Sequence, residues 1–301
     1  MEKIKVGIVG YGNLGKALEK EINKNNLFEL VAVFSKRIIN KCVNYNQIKN
    51  YQNKIDILFL AVGSQSNLEE DAQELIKMFN IIECYDNHSK LELHISNLDN
   101  LAKQNNKIAL CSFGWDPGIF SLMRGLCDAM GYAATTVWGK GISQGHTQAI
   151  KRLPHVKDAL QFTIPNRKMC KKVAGGGLIN ANKLHKRKCY VVCNKEHQKQ
   201  IKAQIVSMPH YFKDYETKVR FVSFKKLKKL KTFSHKGTIF TENNIMNFTL
   251  KLPSNPTFTA KTMIAFAINY KKLLETKTYG AFTIFDLPLN NILPKSKFLY
   301  L

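Results

Sequence analysis

No run of apolar residues in this 301-residue chain approaches the roughly 18 that a bilayer-spanning helix needs, which excludes a membrane span of that kind. The opening MEKIKVGIVG runs from a short basic start straight into an apolar stretch, without the core or cleavage site of a secretion signal. A cytoplasmic protein is therefore expected. Close metal-ligand pairs are missing as well. The seven cysteines, at 42, 84, 111, 127, 170, 189 and 193, contain no C-x-x-C, and the eight histidines no H-x-x-x-H. Zinc sites need such pairs to converge on one ion, so no metal is expected and the thiols read as free in a reducing compartment. With 45% hydrophobic and 23% charged residues the chain is ordinary for a folded protein, and its length suggests about two domains.

Acidic residues are scarce in one part only. Positions 1–120 hold 14 basic and 14 acidic side chains, whereas 121–301 hold 32 basic and 8 acidic, so the net +24 lies entirely in the latter. KKLKKLK at 225–231 is its densest run. Such a field can attract nucleic acid, anionic lipid or an anionic cofactor, or it can be a solvated lysine-rich face. No helix-turn-helix, zinc-finger or aromatic ribonucleoprotein pattern accompanies it, so nucleic acid is not the expected partner.

What is present begins at the N-terminus. KIKVGIVG (3–10) reads as a buried parallel strand, and KALEKEINKN carries helical spacing through Leu14, Ala17, Leu18 and Ile22. FELVAVFSKR (28–37) is a second strand. Between strand and helix lies Gly10-Tyr11-Gly12-Asn13-Leu14-Gly15, a G-x-G-x-x-G in the strand–turn–helix–strand context that gives it meaning. Gly10 permits the turn, Gly12 the approach of a pyrophosphate to the backbone, and Gly15 close helix–sheet packing. The helix start then offers unpaired N–H groups to the phosphates. This predicts a Rossmann-type dinucleotide-binding domain.

The carboxylate that usually accepts the ribose 2′-hydroxyl of NAD is absent from the end of the second strand, which reads Ser35-Lys36-Arg37. A hydroxyl and two cations suit a 2′-phosphate, so NADP is the expected cofactor. IDILFLAVGSQSN (55–67) reads as a buried strand followed by a small-residue loop for the cofactor's ribose and nicotinamide half, IIECYD (81–86) reads as a short strand, and IALC (108–111) leads into Gly114-Trp115-Asp116-Pro117-Gly118. Ligands of open α/β sheets bind beyond the carboxyl ends of the strands, where Asp86, Trp115 and Asp116 fall.

These segments together resemble the meso-diaminopimelate dehydrogenases. The resemblance rests on GIVGYGNLGKALE, YDNH (85–88), GWDPGIFS (114–121), WGKGISQGH (138–146), HKRKCYVV (185–192), MPHYF (208–212), NPTFTA (255–260) and GAFTIFD (280–286), in order along nearly the whole chain. It implies an α/β protein with a dinucleotide-binding domain at 1–118, completed by 256–301, and an α+β substrate-binding and dimerisation region at 119–255. It implies a cytoplasmic homodimer that uses NADP. The reaction would be oxidative deamination of the D-centre of meso-2,6-diaminopimelate to L-2-amino-6-oxopimelate and ammonia, reversed in lysine synthesis.

Carried over position by position, the resemblance places cofactor contacts at Gly10, Tyr11, Gly12, Asn13, Leu14, Gly15, Ser35, Lys36, Arg37, Ala61, Val62, Gly63, Ser64, Cys84, Tyr85, Asp86, Phe113, Gly114, Trp115, Asp116 and Pro117. Substrate contacts fall at Asp86, Trp115, Asp116, Trp138, Thr163, Arg187, His235 and Asn255, with Asp86 and Asp116 in the catalytic role. The residue types suit a doubly zwitterionic substrate. Carboxylates can hold an ammonium and help it lose a proton, and Arg grips a carboxylate with two parallel hydrogen bonds, which Lys cannot. Around Ser234-His235-Lys236-Gly237 and in 166–184 the chain departs from the family pattern, which bears on selectivity for the meso isomer. Two other readings stay open from residues alone: a broader NADP-dependent D-amino-acid or amine dehydrogenase, and a non-catalytic dinucleotide-binding protein whose basic domain takes nucleic acid.

Overall fold

The computed structural model describes residues 2–63, 68–209, 211–230 and 235–300, with Gln144 described by its backbone only. The chain folds as two units, Met1–Leu122 with Pro256–Leu301, and Met123–Asn255.

In the first unit β1 (Ile4–Val9), β2 (Phe28–Ser35), β3 (Val43–Asn44), β4 (Ile57–Leu60), β5 (Asn80–Glu83) and β6 (Ile108–Leu110) join the strand Gly280–Phe282. They form one parallel sheet in the order Gly280–Phe282, β6, β5, β4, β1, β2, β3. Among the helices that accompany it are α1 (Asn13–Ile22), α2 (Leu68–Leu75) and α3 (Leu91–Gln104). Both faces of the sheet are covered, which is why its strands are apolar runs rather than alternating ones. Val6, Ile8 and Phe59 pack with Leu18 and Ile22 of α1 and with Met263 and Phe266 of the helix Asn255–Ala267. Val9, Leu58 and Leu60 pack on the opposite face with Leu68, Ala72 and Leu75 of α2 and Leu98 of α3. Each such fully buried Val, Leu, Ile, Phe or Met side chain stabilises the fold by about 1.5–3 kcal/mol. The chain builds outward from β1 to β2 and β3, then returns to place β4 on the other flank of β1. That reversal is the switch point beside which ligands of such sheets bind.

The second unit is α+β. β7 (Ala134–Trp138), β8 (Gly141–Ile142), β9 (Asp158–Pro165), β10 (His185–Val192), β11 (Thr217–Phe221), β12 (His235–Thr241) and β13 (Asn247–Leu252) make two sheets. One has the order β11-β10-β9-β8 and the other β13-β12-β7. All pairs are antiparallel except β10 with β11. Ile150 of the helix Gln144–Lys151, and Ile201 and Ile205 of the helix Gln198–Ser207, pack with Ala159, Cys189 and Val191 of this unit. The expected fold class, a Rossmann-type domain with an α+β domain, is the one observed.

Two strands are shorter than the apolar runs predict. The run 28–37 ends as a strand at Ser35, and 81–86 stops at Glu83. At the last of these the Tyr85 N–H bonds the Glu83 carboxylate instead of a neighbouring strand, so the ladder stops and Asp86 stands in a loop. All seven cysteines are free thiols. Among the described residues no helix is long and apolar enough to cross a membrane.

Candidate active site

The glycine loop follows β1 directly. Gly10 lies at φ +98°, a left-handed conformation that L side chains rarely adopt, and its N–H donates to the Phe34 carbonyl at 2.8 Å. A Cβ on Gly15 would stand 2.0 Å from the Gly10 carbonyl oxygen, so α1 meets the loop with no room for a side chain. Gly12 differs. It precedes α1 without a side-chain cap, and a Cβ there would meet nothing within 4 Å. Open space over uncapped N–H groups at a helix start fits a dinucleotide pyrophosphate. The two glycines should therefore separate folding from binding. Gly15→Ala is expected to cost about 1–3 kcal/mol of stability by overpacking. Gly12→Ala is expected to leave Tm unchanged and weaken NADP binding by roughly tenfold or more, about 1.4 kcal/mol. Calorimetric melting and NADP titration of both variants check this, and equal Tm losses would refute it.

Tyr11, Asn13 and Leu14 complete the loop. The Tyr11 hydroxyl donates to Glu19 at 2.5 Å, and the Lys41 ammonium, 3.0 Å from the same carboxylate, sits 4.7 Å above the Tyr11 ring. At the end of β2 the Ser35 hydroxyl accepts the Arg37 N–H at 3.0 Å. Lys36 is already engaged: its ammonium lies 2.6 Å from the buried Asp71 carboxylate and 4.7 Å from the Tyr45 ring. Arg37 is exposed. Ala61, Val62 and Gly63 follow the carboxyl end of β4, where Ala61 N–H donates to Val9 O at 2.7 Å. Ser64 lies outside the described residues.

The loops after β5 and β6 carry the remaining residues expected in this unit. Cys84, Tyr85 and Asp86 follow β5, with Tyr85 fully buried and Asp86 exposed. Burial pushes the Cys84 thiol far above its ordinary pKa. Phe113 is buried 5.0 Å from Phe266, and Trp115 meets Phe120 edge-on at 5.6 Å. Gly114 N–H donates to the Pro117 carbonyl at 3.1 Å, closing a tight turn that leaves Trp115 and Asp116 half-buried.

In the second unit strand register brings the other residues together. Thr163 on β9 pairs with Arg187 on β10, and the Arg187 Nη1 donates to the Thr163 hydroxyl at 2.8 Å. The guanidinium lies 4.0 Å over the Tyr215 ring, and its Nε is buried without a hydrogen-bond partner. Gly141 pairs with Thr163 from the other side, and the His235 imidazole hydrogen-bonds the backbone of the adjacent Ile142. Trp138 ends β7 opposite Gly237 of β12, two residues from His235. Asn255 opens the helix Asn255–Ala267.

Some residues of this cluster escape a reading of the sequence. His185 Nε2 accepts the Trp138 N–H at 2.8 Å, tying the tryptophan to β10. His146 is held by Ser143 at 2.7 Å, with its Nε2 buried and unpartnered, and both polar atoms of the fully buried Gln161 are unpartnered too. Period-two alternation along HKRK would have put His185 on the Arg187 face. Gln161 had no such signal, and His146, closing WGKGISQGH, reads from sequence only as a satisfied polar histidine.

The sequence and the fold both match known proteins. The diaminopimelic acid dehydrogenase C-terminal domain family matches residues 114–254. The meso-diaminopimelate D-dehydrogenase of Acetivibrio thermocellus is 38% identical over 98% of this chain and 96% of its own. The solved structure of the Corynebacterium glutamicum diaminopimelate dehydrogenase in complex with diaminopimelate superposes with a TM-score of 0.89 at 33% identity, covering 98% of this chain and 97% of that one. An engineered D-amino acid dehydrogenase bound to NADP+ gives 0.87 at 32% identity, with the same coverage.

Proposed function

The chain belongs to the meso-diaminopimelate dehydrogenase family, and from that premise we propose a working enzyme with its roles assigned residue by residue. It catalyses the reversible, NADP-dependent oxidative deamination of the D-centre of meso-2,6-diaminopimelate, giving L-2-amino-6-oxopimelate and ammonia, as a branch of lysine synthesis. The dinucleotide-binding part is 1–118 with 256–301, and 119–255 holds substrate and the dimer surface. The protein acts as a homodimer in the cytoplasm; sedimentation at twice the chain mass tests the dimer.

NADP, held at the glycine loop, Ser35–Arg37 and the loops after β4, β5 and β6, supplies the hydride acceptor. The protein's own side chains do the rest. Asp86 and Asp116 hold the ammonium of the reacting end and help it lose the proton that must leave before the carbon–nitrogen double bond forms. Trp115 walls that end. Trp138, Thr163, Arg187, His235 and Asn255 grip the distal carboxylate and amine, and fixing the far end orients the near one, which supplies much of the rate.

The observation that carries this reading is Arg187. It is a buried cation oriented by Thr163 and Tyr215, with one N–H still unspent, and that is what a carboxylate receptor requires. Neither alternative reading has an observation in its favour. NADP reduction assayed with meso-, LL- and DD-diaminopimelate and with simple D-amino acids decides. Turnover confined to the meso isomer is expected, and comparable kcat/KM on simple D-amino acids would sink the assignment.

Cofactor choice carries its own expectation. Because Asp71 already balances the Lys36 charge, Arg37 is the cation left for the 2′-phosphate. Arg37→Ala is expected to raise the Kd for NADP about 10- to 100-fold, the loss of one charge-assisted contact. Lys36→Ala should raise it less. Titration of both variants in the absence of substrate checks the order, and the reverse order would refute it.

A further inference from the structure

Glu83 closes β5 with a carboxylate that is fully buried, and the proposed chemistry does not use it. One carboxylate oxygen accepts the Tyr85 N–H, just past the end of β5. The other accepts the Ser112 N–H at 3.1 Å, just past the end of β6, and faces the His94 Nε2 at 3.3 Å. The Glu83 carbonyl also accepts the Phe113 N–H at 2.9 Å. His94, on α3 and likewise fully buried, stacks on the Tyr85 ring with centroids 4.1 Å apart. One residue thus receives N–H groups from both loops, the one that continues to Asp86 and the one that continues to Trp115 and Asp116.

Two features set this apart from ordinary strand termination. Burying a carboxylate is costly, and a packed apolar side chain would serve a strand end more cheaply. Ser112 also stands at φ +65°, a conformation that disfavours residues with a Cβ, so an outside contact must hold the turn where the chain leaves β6. That contact is the Glu83 carboxylate.

We propose that Glu83 is a positioning residue of the reaction. It ties the loops after β5 and β6 to one another and so sets the spacing of Asp86 from Trp115 and Asp116. His94 braces the carboxylate from α3. The proposal rests on the active-site reading given above for those three residues.

Glu83→Gln is the informative variant, because it keeps the shape and removes one acceptor. The amide NH2 must face either the Tyr85 N–H or the Ser112 N–H, donor against donor, so one loop is released. The expected result is a kcat at least tenfold lower, with KM for meso-diaminopimelate within threefold, since the distal contacts around Arg187 are untouched. Amide hydrogen exchange should accelerate at least tenfold in 84–90 or 112–118 and stay unchanged in β1 and β4. Turnover and exchange within twofold of the unaltered enzyme would overturn the proposal, as would acceleration spread evenly over the whole unit. Exchange in the unaltered protein decides even if the variant does not fold: slow Tyr85 and Ser112 amides support the clamp, and fast ones overturn it. Should the unaltered enzyme not turn over meso-diaminopimelate, the functional assignment fails, while the exchange arm still tests the clamp.

Discussion

Arg187→Met is expected to lower kcat/KM for meso-diaminopimelate on the order of 10³-fold, roughly 4 kcal/mol, while leaving NADP affinity unchanged. The geometry explains the size. The guanidinium is held by the Thr163 hydroxyl at 2.8 Å and by the Tyr215 ring at 4.0 Å, so its donors are aimed before any ligand arrives. Burial lowers its pKa: the cation has given up water, and among the described residues it gains no carboxylate in return. In the proposed assignment the substrate carboxylate completes the pair, and an apolar side chain would leave that carboxylate buried and unpaired. The same reasoning gives the opposite sign for stability. Removing a buried cation that lacks a counter-ion is expected to leave the free protein as stable as before, or more stable by about 1 kcal/mol. Arg187→Lys should not restore activity, since an ammonium cannot reproduce the planar fork. Steady-state rates and thermal melting of both variants provide the check. A kcat/KM within tenfold of the unaltered enzyme for Arg187→Met would remove Arg187 from the substrate site.

The second large effect is on acid stability. His185 is pushed down to about 4 and His146 to about 3, in both cases by burial first and the nearby Arg187 charge second, and burial lowers His235 as well. A histidine whose folded pKa lies below its unfolded value of about 6.5 binds fewer protons when folded. Its contribution is therefore complete above the unfolded pKa and is lost as pH falls toward the folded one. At His185 protonation would also end a contact: Nε2 accepts the Trp138 N–H, and a protonated ring has no lone pair to offer it. Between pH 6.5 and 5 each strongly shifted histidine withdraws up to about 2 kcal/mol. Carboxylates with lowered pKa, such as Asp158 paired with Lys151, lose their contribution only at lower pH, so this window isolates the imidazoles. Calorimetric scans should show Tm falling steeply from pH 6.5 to 5. His185→Gln, whose amide oxygen can still accept from Trp138, should remove the His185 share of that fall. A flat Tm across the window would show that these rings are not held neutral.

The lysine run at 225–231 takes part in none of these expectations. In the second unit they turn on Arg187 and His185, both buried, and on the half-buried His146.

The first unit could be read closely from the chain. G-x-G-x-x-G between two apolar strands specifies its turn, because left-handed backbone at Gly10 and the absence of a Cβ at Gly15 are local requirements that few other residues meet. Its core positions followed from continuous apolar runs, since a sheet covered on both faces leaves no polar face to disguise them. Asp86, Trp115 and Asp116 could be located because they follow strand ends. Arg187 is different. In HKRK it is one cation among three, and only the pairing of β10 with β9 sets it against Thr163 while its neighbours Lys186 and Lys188 point to the opposite face. Lys36 reads in sequence as a phosphate ligand, yet α2, 35 positions further along, delivers Asp71 to it. Glu83 and His94 carry no local mark at all. Their meaning lies in contacts between segments far apart in the chain, and such contacts exist only once the sheet has assembled.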